Sequence, residues 1–279
     1  MQLKILTLIF SEKKFLMKIK EITEYIETLA PLHYAEDFDN VGLLVGNYET
    51  VATGVLVALD TLEETVDEAI ATNCNLIVSF HPIIFNGLKK LNGTTYVERV
   101  VLKAIKNDIA IYATHTALDN VKNGVSGKIC EVLGLLNTAT LIPKTNLASK
   151  ETIGMGMIGE LANEMTESDF LQYVKSTMKT ACVRHSEFTG KSIKKVAVLG
   201  GSGSFAIENA IHAKADAYIS ADFKYHDFFK AEKQLLLADI GHYESEQFTK
   251  NLLVEYLTKK FTNFAIILSE KSTNPIYYI

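Results

Sequence analysis

Short apolar runs alternate with segments of helical periodicity over much of the chain. Residues 51–60 (VATGVLVALD) precede a helical pattern over residues 62–72, and residues 75–80 (NLIVSF) precede another over residues 95–107. A third apolar run follows at residues 109–114 (IAIYAT). Strands that alternate with helices in this way are typical of βαβ units. The pattern therefore predicts an α/β fold with mostly parallel sheets.

The second half of the chain continues the alternation after a change of character. Residues 141–152 (LIPKTNLASKET) are polar and include a proline, which favours a connector between domains. Strands are then expected at residues 195–199 and 217–220, a helix at residues 245–259, and a terminal strand in residues 264–279.

Two glycine-rich segments have the composition of nucleotide-binding loops. Residues 154–159 (GMGMIG) match G-x-G-x-x-G, but no apolar strand precedes them, which argues against a dinucleotide site. Residues 200–204 (GGSGS) lie between a strand and a helix and lack the lysine of a nucleoside-triphosphatase loop. They are interpreted either as an anion site on backbone N–H groups or as a tight turn that lets the helix pack closely.

Histidines and carboxylates follow several predicted strands. In parallel sheets the functional site lies beyond the carboxyl ends of the strands. There the sequence places His81, His115, Asp119 and His242, and a further strand end carries a titratable cluster that includes His226. This recurrence predicts a metal site, although each histidine could instead cap a helix or satisfy backbone groups at a strand end.

His242 and Glu246 are spaced four residues apart in GHYESEQF. This spacing places both side chains on one face of a helix, where they form an ordinary ligand pair for borderline metals. The same spacing also occurs on the solvated face of amphipathic helices, so the prediction depends on the other strand ends.

Composition and charge narrow the classes of partner. The 279 residues are 48% hydrophobic, which suffices for a sizeable core, and the net charge of −5 argues against a nucleic-acid partner. The three cysteines are widely spaced in apolar surroundings, as expected of buried thiols in the cytoplasm. No membrane partner is expected.

The first 16 residues precede the helical pattern that opens at Met17. Residues 3–10 are apolar but too short to span a bilayer, and SEKK follows where a cleavage site would be expected. We interpret residues 1–16 as an extension from an upstream start codon or a dispensable leader; the alternative is an extra strand or arm docked on the core.

Five motifs together resemble the Nif-three-like family, which is often labelled GTP cyclohydrolase 1 type 2. The resemblance runs from about Met17 to the C-terminus. The motifs are DNVGLLVG (39–46), SFHPIIFNGLKKL (79–91), THTALDN (114–120), GGSGS with ISADFKYHD (219–227), and GHYESEQF (241–248).

The resemblance implies two interlocking α/β domains in a homohexamer, with a metal site between the domains. We expect an extension at residues 1–16, a first domain of residues 17–145 plus 236–279, and a second domain of residues 146–235. The insert domain that many longer members carry between the two halves is missing.

The resemblance also implies metal ligands, which are His81, Asp119, His242 and Glu246. The family usually has a His-His pair, and its first member falls on Phe80, which should weaken or vacate one of two metal positions unless His115 or water replaces it. We therefore expect one or two divalent ions; mixed histidine and carboxylate ligands suit Zn, Fe and Mn alike.

A metal site of this kind is typical of hydrolases. Two bridged divalent ions would lower the pKa of a shared water to roughly 7. The expected substrate is a small molecule, namely a nucleotide or another phosphorylated metabolite, and the family label suggests opening of a purine ring. His115 and His226 are the candidate acid and base, although both could instead orient metal ligands. The alternatives are a metal-binding scaffold or chaperone without turnover, and a structural protein without metal.

Overall fold

The structure, a computed structural model, describes residues 16–145 and 152–279. The expected extension at residues 1–16 lies, except for Leu16, outside the described residues. The helices are α1 (Ile19–Leu29), α2 (Glu63–Ala71), α3 (Tyr96–Lys106), α4 (His115–Asp119), α5 (Val125–Val132), α6 (Glu167–Thr177), α7 (Ile207–His212), α8 (His242–Glu246) and α9 (Thr249–Lys260). The strands are β1 (Gly42–Val45), β2 (Val55–Ala58), β3 (Leu76–Ser79), β4 (Ala110–Ala113), β5 (Leu136–Thr145), β6 (Thr152–Met165), β7 (Arg184–His185), β8 (Ile193–Ser202), β9 (Ala217–Ala221), β10 (Leu236–Asp239) and β11 (Ile266–Leu268).

The first sheet has the strand order β1-β4-β3-β2-β11. β4, β3, β2 and β11 pair in parallel, and only β1 is antiparallel to its neighbour. Every residue of β2, β3 and β4 is buried, as their continuous apolar sequences predict for strands covered on both faces. The three predicted strands and the helices between them are thus confirmed.

The second sheet has the order β5-β6-β8-β9-β10-β7 and is mixed. β8, β9 and β10 are parallel, whereas β5, β6 and β7 pair antiparallel with their neighbours. The predicted α/β fold is confirmed, with two mixed sheets, but the expectation of mostly parallel pairing holds for the first sheet only, since three of the five pairings of the second sheet are antiparallel.

The prediction of a connector at residues 141–152 was wrong at both ends, because residues 141–145 belong to β5 and Thr152 begins β6. β5 extends to Thr145 and pairs with β6 at the edge of the second sheet. An edge strand needs only one hydrogen-bonded neighbour and tolerates polar side chains and a proline, so its sequence lacks the apolar signature of a central strand. Residues 146–151 lie outside the described residues.

The predicted single helix over residues 245–259 is two helices, α8 and α9, separated at Gln247 and Phe248. The side-chain amide of Gln247 donates to the carbonyl groups of Met178 and Glu244 at this break. As a result α8, which carries the predicted ligand pair, is a short element of its own.

One hydrophobic cluster spans both sheets. It contains Val55 and Leu76 of the first sheet together with Val196 and Ile219 of the second. β5 and β10 both belong to the second sheet, although the predicted limits 145/146 and 235/236 place their residues in the first domain. The chain therefore changes sheets at other residues than those limits. The domain division itself stays a prediction.

Within the described part of the chain, no helix is long and apolar enough to cross a bilayer.

Candidate metal centre

His81 follows β3 and reaches the second half of the molecule. Its Nδ1 lies 2.8 Å from Oδ1 of Asp60, which follows β2. Its Nε2 lies 3.1 Å from Oε2 of Glu246 on α8. The contact with Asp60 fixes the orientation of the imidazole ring, so that Nε2 faces Glu246.

His242 meets the same carboxylate oxygen from its own helix. Its Nε2 lies 3.2 Å from Oε2 of Glu246, and its Nδ1 lies 2.7 Å from Oδ2 of Asp222, which follows β9. Three side chains each offer one ligand atom, and these atoms lie within 4.8 Å of one another; the residues are His81, His242 and Glu246. Three of the four predicted metal ligands therefore lie together.

Gly201 allows the end of β8 to lie directly against this cluster. A Cβ atom at Gly201 would lie 2.4 Å from Oε1 of Glu246, and the residue has a φ of +69°, which favours glycine. Its N–H donates to Oγ of Ser245 on α8 over 2.9 Å. The glycine at the end of β8 thus permits close packing, as one interpretation of residues 200–204 expected, but against α8 and not against the helix that follows this segment.

The charges of the cluster stabilise one another. Burial would lower the pKa of His81 and His242, but the adjacent carboxylates outweigh it and raise the two pKa values to about 10 and about 11. Burial would raise the pKa of Glu246, but the two imidazoles lower it to about 2. A divalent cation would compete with protons for the same imidazole nitrogens.

The donor set fits a cation. Oε2 of Glu246 is buried and accepts no hydrogen bond within the described part of the chain, although two imidazole nitrogens lie within 3.2 Å of it. A buried carboxylate oxygen that accepts no well-aligned hydrogen bond is costly even beside two imidazoles, and a metal ion shared with them is a partner that would satisfy it. Two imidazoles and a carboxylate are ligands that Zn, Fe and Mn accept.

Asp119, the fourth predicted ligand, ends α4 on the first-sheet side of the cluster. Burial and the negative charge of Glu246 raise its pKa well above the ordinary value, while His81 and His242 act in the opposite direction. Asp119 is therefore close enough to interact electrostatically with all three clustered side chains, but its carboxylate is not among the atoms within 4.8 Å.

His115 lies beside the cluster and is held by Asp39. Its Nδ1 lies 2.7 Å from Oδ1 of Asp39, whose side chain is fully buried and also accepts from the backbone N–H of Thr116. The ring centroids of His115 and His81 are 5.4 Å apart. His115 has a φ of +28°, which is unusual for a residue with a Cβ and is often found at functional sites.

Phe80 occupies the place of the imidazole that the family pattern led us to expect. It is fully buried in the core, and its ring lies 5.6 Å from that of His115. Its side chain offers no ligand atom to the cluster.

His226, the second acid–base candidate, lies on an exposed 3-10 segment. Its ring contacts are with Tyr225 and Phe229. Within the described residues the structure gives it no hydrogen bond, ion pair or ring contact with the cluster, and its catalytic role stays a prediction.

Sequence reasoning did not assign roles to Asp39, Asp60 and Asp222, which hold the three histidines. Asp60 and Asp222 do carry a signal, because each follows a buried strand, as His81 and His242 do. Asp39 precedes β1 in a turn-rich segment, and its sequence position alone does not indicate that it contacts His115.

Comparison with known proteins gives a consistent result. Residues 17–275 match the family described as Duf34/NIF3 (NGG1p interacting factor 3). A Clostridium acetobutylicum protein named GTP cyclohydrolase 1 type 2 homolog is 34% identical over 266 residues, which cover 93% of this chain and 98% of that protein.

Two solved structures are similar to this chain over nearly its whole length. The Bacillus cereus protein related to NIF3 is similar with a TM-score of 0.89 and 28% identity, covering 95% of this chain and 99% of that one. A Staphylococcus aureus hypothetical protein is similar with a TM-score of 0.88 and 32% identity, covering 94% and 99%.

Proposed function

Because the chain belongs to the Duf34/NIF3 family, we propose that it is a metal-dependent hydrolase of a nucleotide or another phosphorylated metabolite. Ring opening of the GTP cyclohydrolase type is one instance, suggested by the names of the relatives. The observation that carries the proposal is that His81, which follows a strand of the first sheet, meets His242 and Glu246 of α8 around one buried carboxylate oxygen that accepts no hydrogen bond from the described residues.

In this proposal the residues of the chain have separate roles. His81, His242, Glu246 and Asp119 hold the cation, which when bound supplies Lewis-acid polarisation and acidifies a water molecule. Asp60 and Asp222 keep the Nε2 atoms of the two histidines directed at the site.

His115 is the residue that we assign to proton transfer. Asp39 occupies its Nδ1, so Nε2 is the atom that takes or gives a proton. For a purine substrate, one water would add to the electrophilic imidazole carbon and open the ring to a formamide, and a second water would release formate.

The test is metal analysis of freshly purified protein, followed by measurement of formate release from GTP and of hydrolysis across a metabolite panel. We expect a bound divalent metal, turnover, and loss of turnover in Asp119→Ala. His212→Ala is the matched control, because His212 is an exposed histidine at the end of α7.

A second candidate function is a metal-binding scaffold or chaperone without turnover. The burial of Phe80 favours it, because a cluster with one imidazole fewer offers less support for a second ion. Stoichiometric metal without hydrolysis of any panel member would select this candidate. A protein that binds no metal and loses nothing in His242→Ala would contradict both.

A further inference from the structure

Residues 269–279, here called the C-terminal tail, lead from β11 to the residue that supports His81. β11 pairs in parallel with β2, so the tail leaves the first sheet at the same end as Asp60, which follows β2. The tail forms neither helix nor strand, and Thr273 within it is buried. The topology of the sheet thus brings Thr273 to the edge of the metal centre.

Asp60 lies between Thr273 and His81, and its two carboxylate oxygens have different partners. Oδ1 lies 2.8 Å from Nδ1 of His81. Oδ2 accepts a hydrogen bond from the hydroxyl of Thr273 over 2.5 Å. Thr273 is therefore one hydrogen bond further from the predicted ion than Asp60 is.

Burial alone does not fix the orientation of the Asp60 carboxylate. The side chain is 32% exposed, and it lines a cavity of about 430 Å³ together with His81 and Thr273. A carboxylate beside such a cavity can rotate and exchange a protein partner for water. Histidines that bind metal depend on such partners for their ring orientation, and these partners need hydrogen bonds of their own. The hydroxyl of Thr273 supplies this second bond.

The tail is anchored on both sides of Thr273. Before it, the hydroxyl of Ser269 donates to Oε2 of Glu68 on α2 over 2.5 Å. After it, the side-chain amide of Asn274 donates to Oε1 of Glu244 on α8 over 2.9 Å. Threonine is also β-branched, which restricts the rotation of its hydroxyl about χ1. The donor to Asp60 is thus presented by a fixed segment of chain.

We propose that Thr273 is a positioning residue of the metal centre, which orients His81 through Asp60. The inference rests on the metal site of the proposed function, which the hydrolase and the scaffold share, and does not depend on turnover. The alternative is a structural role in which the same hydrogen bond only fastens the tail.

The first experiment compares Thr273→Val with Thr273→Ser in the full-length protein. Valine keeps the shape of threonine without the hydroxyl, whereas serine keeps the donor. We expect Thr273→Val to lower Zn²⁺ affinity about tenfold, the lower end of the range for outer-shell partners, because Thr273 acts through a second residue. Thr273→Ser should have nearly wild-type affinity. Competition with a chromophoric chelator measures both values, and a Thr273→Val variant with unchanged affinity overturns the inference.

Ser269→Ala is the matched control, because it removes another buried hydroxyl that joins the tail to a carboxylate. Its partner Glu68 lies on α2, away from the predicted ligands. Ser269→Ala and Thr273→Val should both lower the urea midpoint of the metal-free protein, but only Thr273→Val should lower Zn²⁺ affinity. Equal losses of affinity in the two variants would indicate a loosened tail and overturn the inference.

A double-mutant cycle tests the route through Asp60. In the Asp60→Ala background the carboxylate is absent, so adding Thr273→Val should change Zn²⁺ affinity no further. In the Asp222→Asn background, where the support of His242 is altered, adding Thr273→Val should still cost about tenfold. A tenfold further loss in the Asp60→Ala background would contradict the route and overturn the inference.

Failure of the inference can be distinguished from failure of the proposed function. Metal bound with equal affinity by wild-type protein and Thr273→Val overturns the inference alone. An affinity loss in Thr273→Val that is absent in Thr273→Ser, without turnover of any metabolite in the panel, contradicts the hydrolase and retains the inference. Wild-type protein that binds none of Zn²⁺, Fe²⁺ and Mn²⁺ overturns both.

Discussion

At the scale of single residues, Asp222 decides which nitrogen of His242 faces Glu246. Its carboxylate accepts from Nδ1, which leaves Nε2 on the side of the site. In Asp222→Asn the amide can donate to Nδ1 and so favour the wrong tautomer. We expect metal affinity to fall about 10- to 100-fold, measured by competition with a chromophoric chelator.

The matched control for this substitution is Asp67→Asn. Asp67 forms an exposed ion pair with Lys103 on the surface, so its loss should leave metal affinity unchanged. Equal affinities of wild-type protein and Asp222→Asn would contradict the orienting role.

Gly201 provides a second prediction at this scale. Gly201→Ala would introduce a Cβ atom 2.4 Å from Oε1 of Glu246 and should displace that carboxylate, with loss of metal binding. Gly190→Ala is a close control, since Gly190 has a φ of +77° and a Cβ atom added there would meet nothing within 4 Å. Both variants should lose about 1 kcal/mol of stability from backbone strain, measured by urea unfolding.

Only Gly201→Ala should also lose metal, measured by elemental analysis of the folded protein. Retention of metal at the wild-type level in this variant would show that metal binding does not require the present position of the Glu246 carboxylate.

At the scale of elements, Asp39 fastens the segment before β1 to α4. Burial acts against its charge, but hydrogen bonds from His115 and Thr116 lower its pKa to about 2. Asp39→Asn should lower the free energy of unfolding by about 2 to 3 kcal/mol at pH 7, because a buried charged acceptor is lost. Urea unfolding of both proteins measures this difference.

The pH dependence of that difference follows from the lowered pKa. The ionised carboxylate of Asp39 stabilises the folded protein fully above the ordinary aspartate pKa near 4. This stabilisation is lost as the pH falls through about 2, where Asp39 becomes protonated in the folded protein as well. The advantage of wild-type protein over Asp39→Asn should therefore be constant between pH 7 and 5 and shrink between pH 4 and 2. A constant difference down to pH 2 would contradict the assignment.

Central elements could be predicted from the sequence, and peripheral ones could not. β2, β3 and β4 are buried along their whole length, so their apolar runs are unambiguous. The edge strand β5 does not have to be buried along its whole length, so its sequence contains polar residues and resembles that of a loop. At the break between α8 and α9, the side-chain amide of Gln247 donates to the carbonyl of Met178, which is 69 residues away in the sequence, and a local pattern does not contain such a contact.

At the scale of the whole molecule, the site forms where the carboxyl ends of parallel strands from both sheets meet. β2 and β3 lead to Asp60 and His81, and β9 and β10 lead to Asp222 and His242. The strand-end rule predicted the separate residues within each half. It could not predict that Glu246 would lie between histidines of both halves, because that depends on how the sheets pack.

A metal ion at this place would join the two sheets, and its removal should destabilise the whole molecule. His81 follows β3 on one side, and His242 and Glu246 lie on α8 on the other, so only the folded chain presents these ligands together. A ligand that binds only the folded state at about 100 times its Kd contributes about 3 kcal/mol. We expect a chelator to lower the Tm of wild-type protein measurably in calorimetry and to leave that of His242→Ala unchanged. An unchanged Tm of wild-type protein, with elemental analysis showing that the chelator has removed the metal, would mean that the ion does not join the sheets.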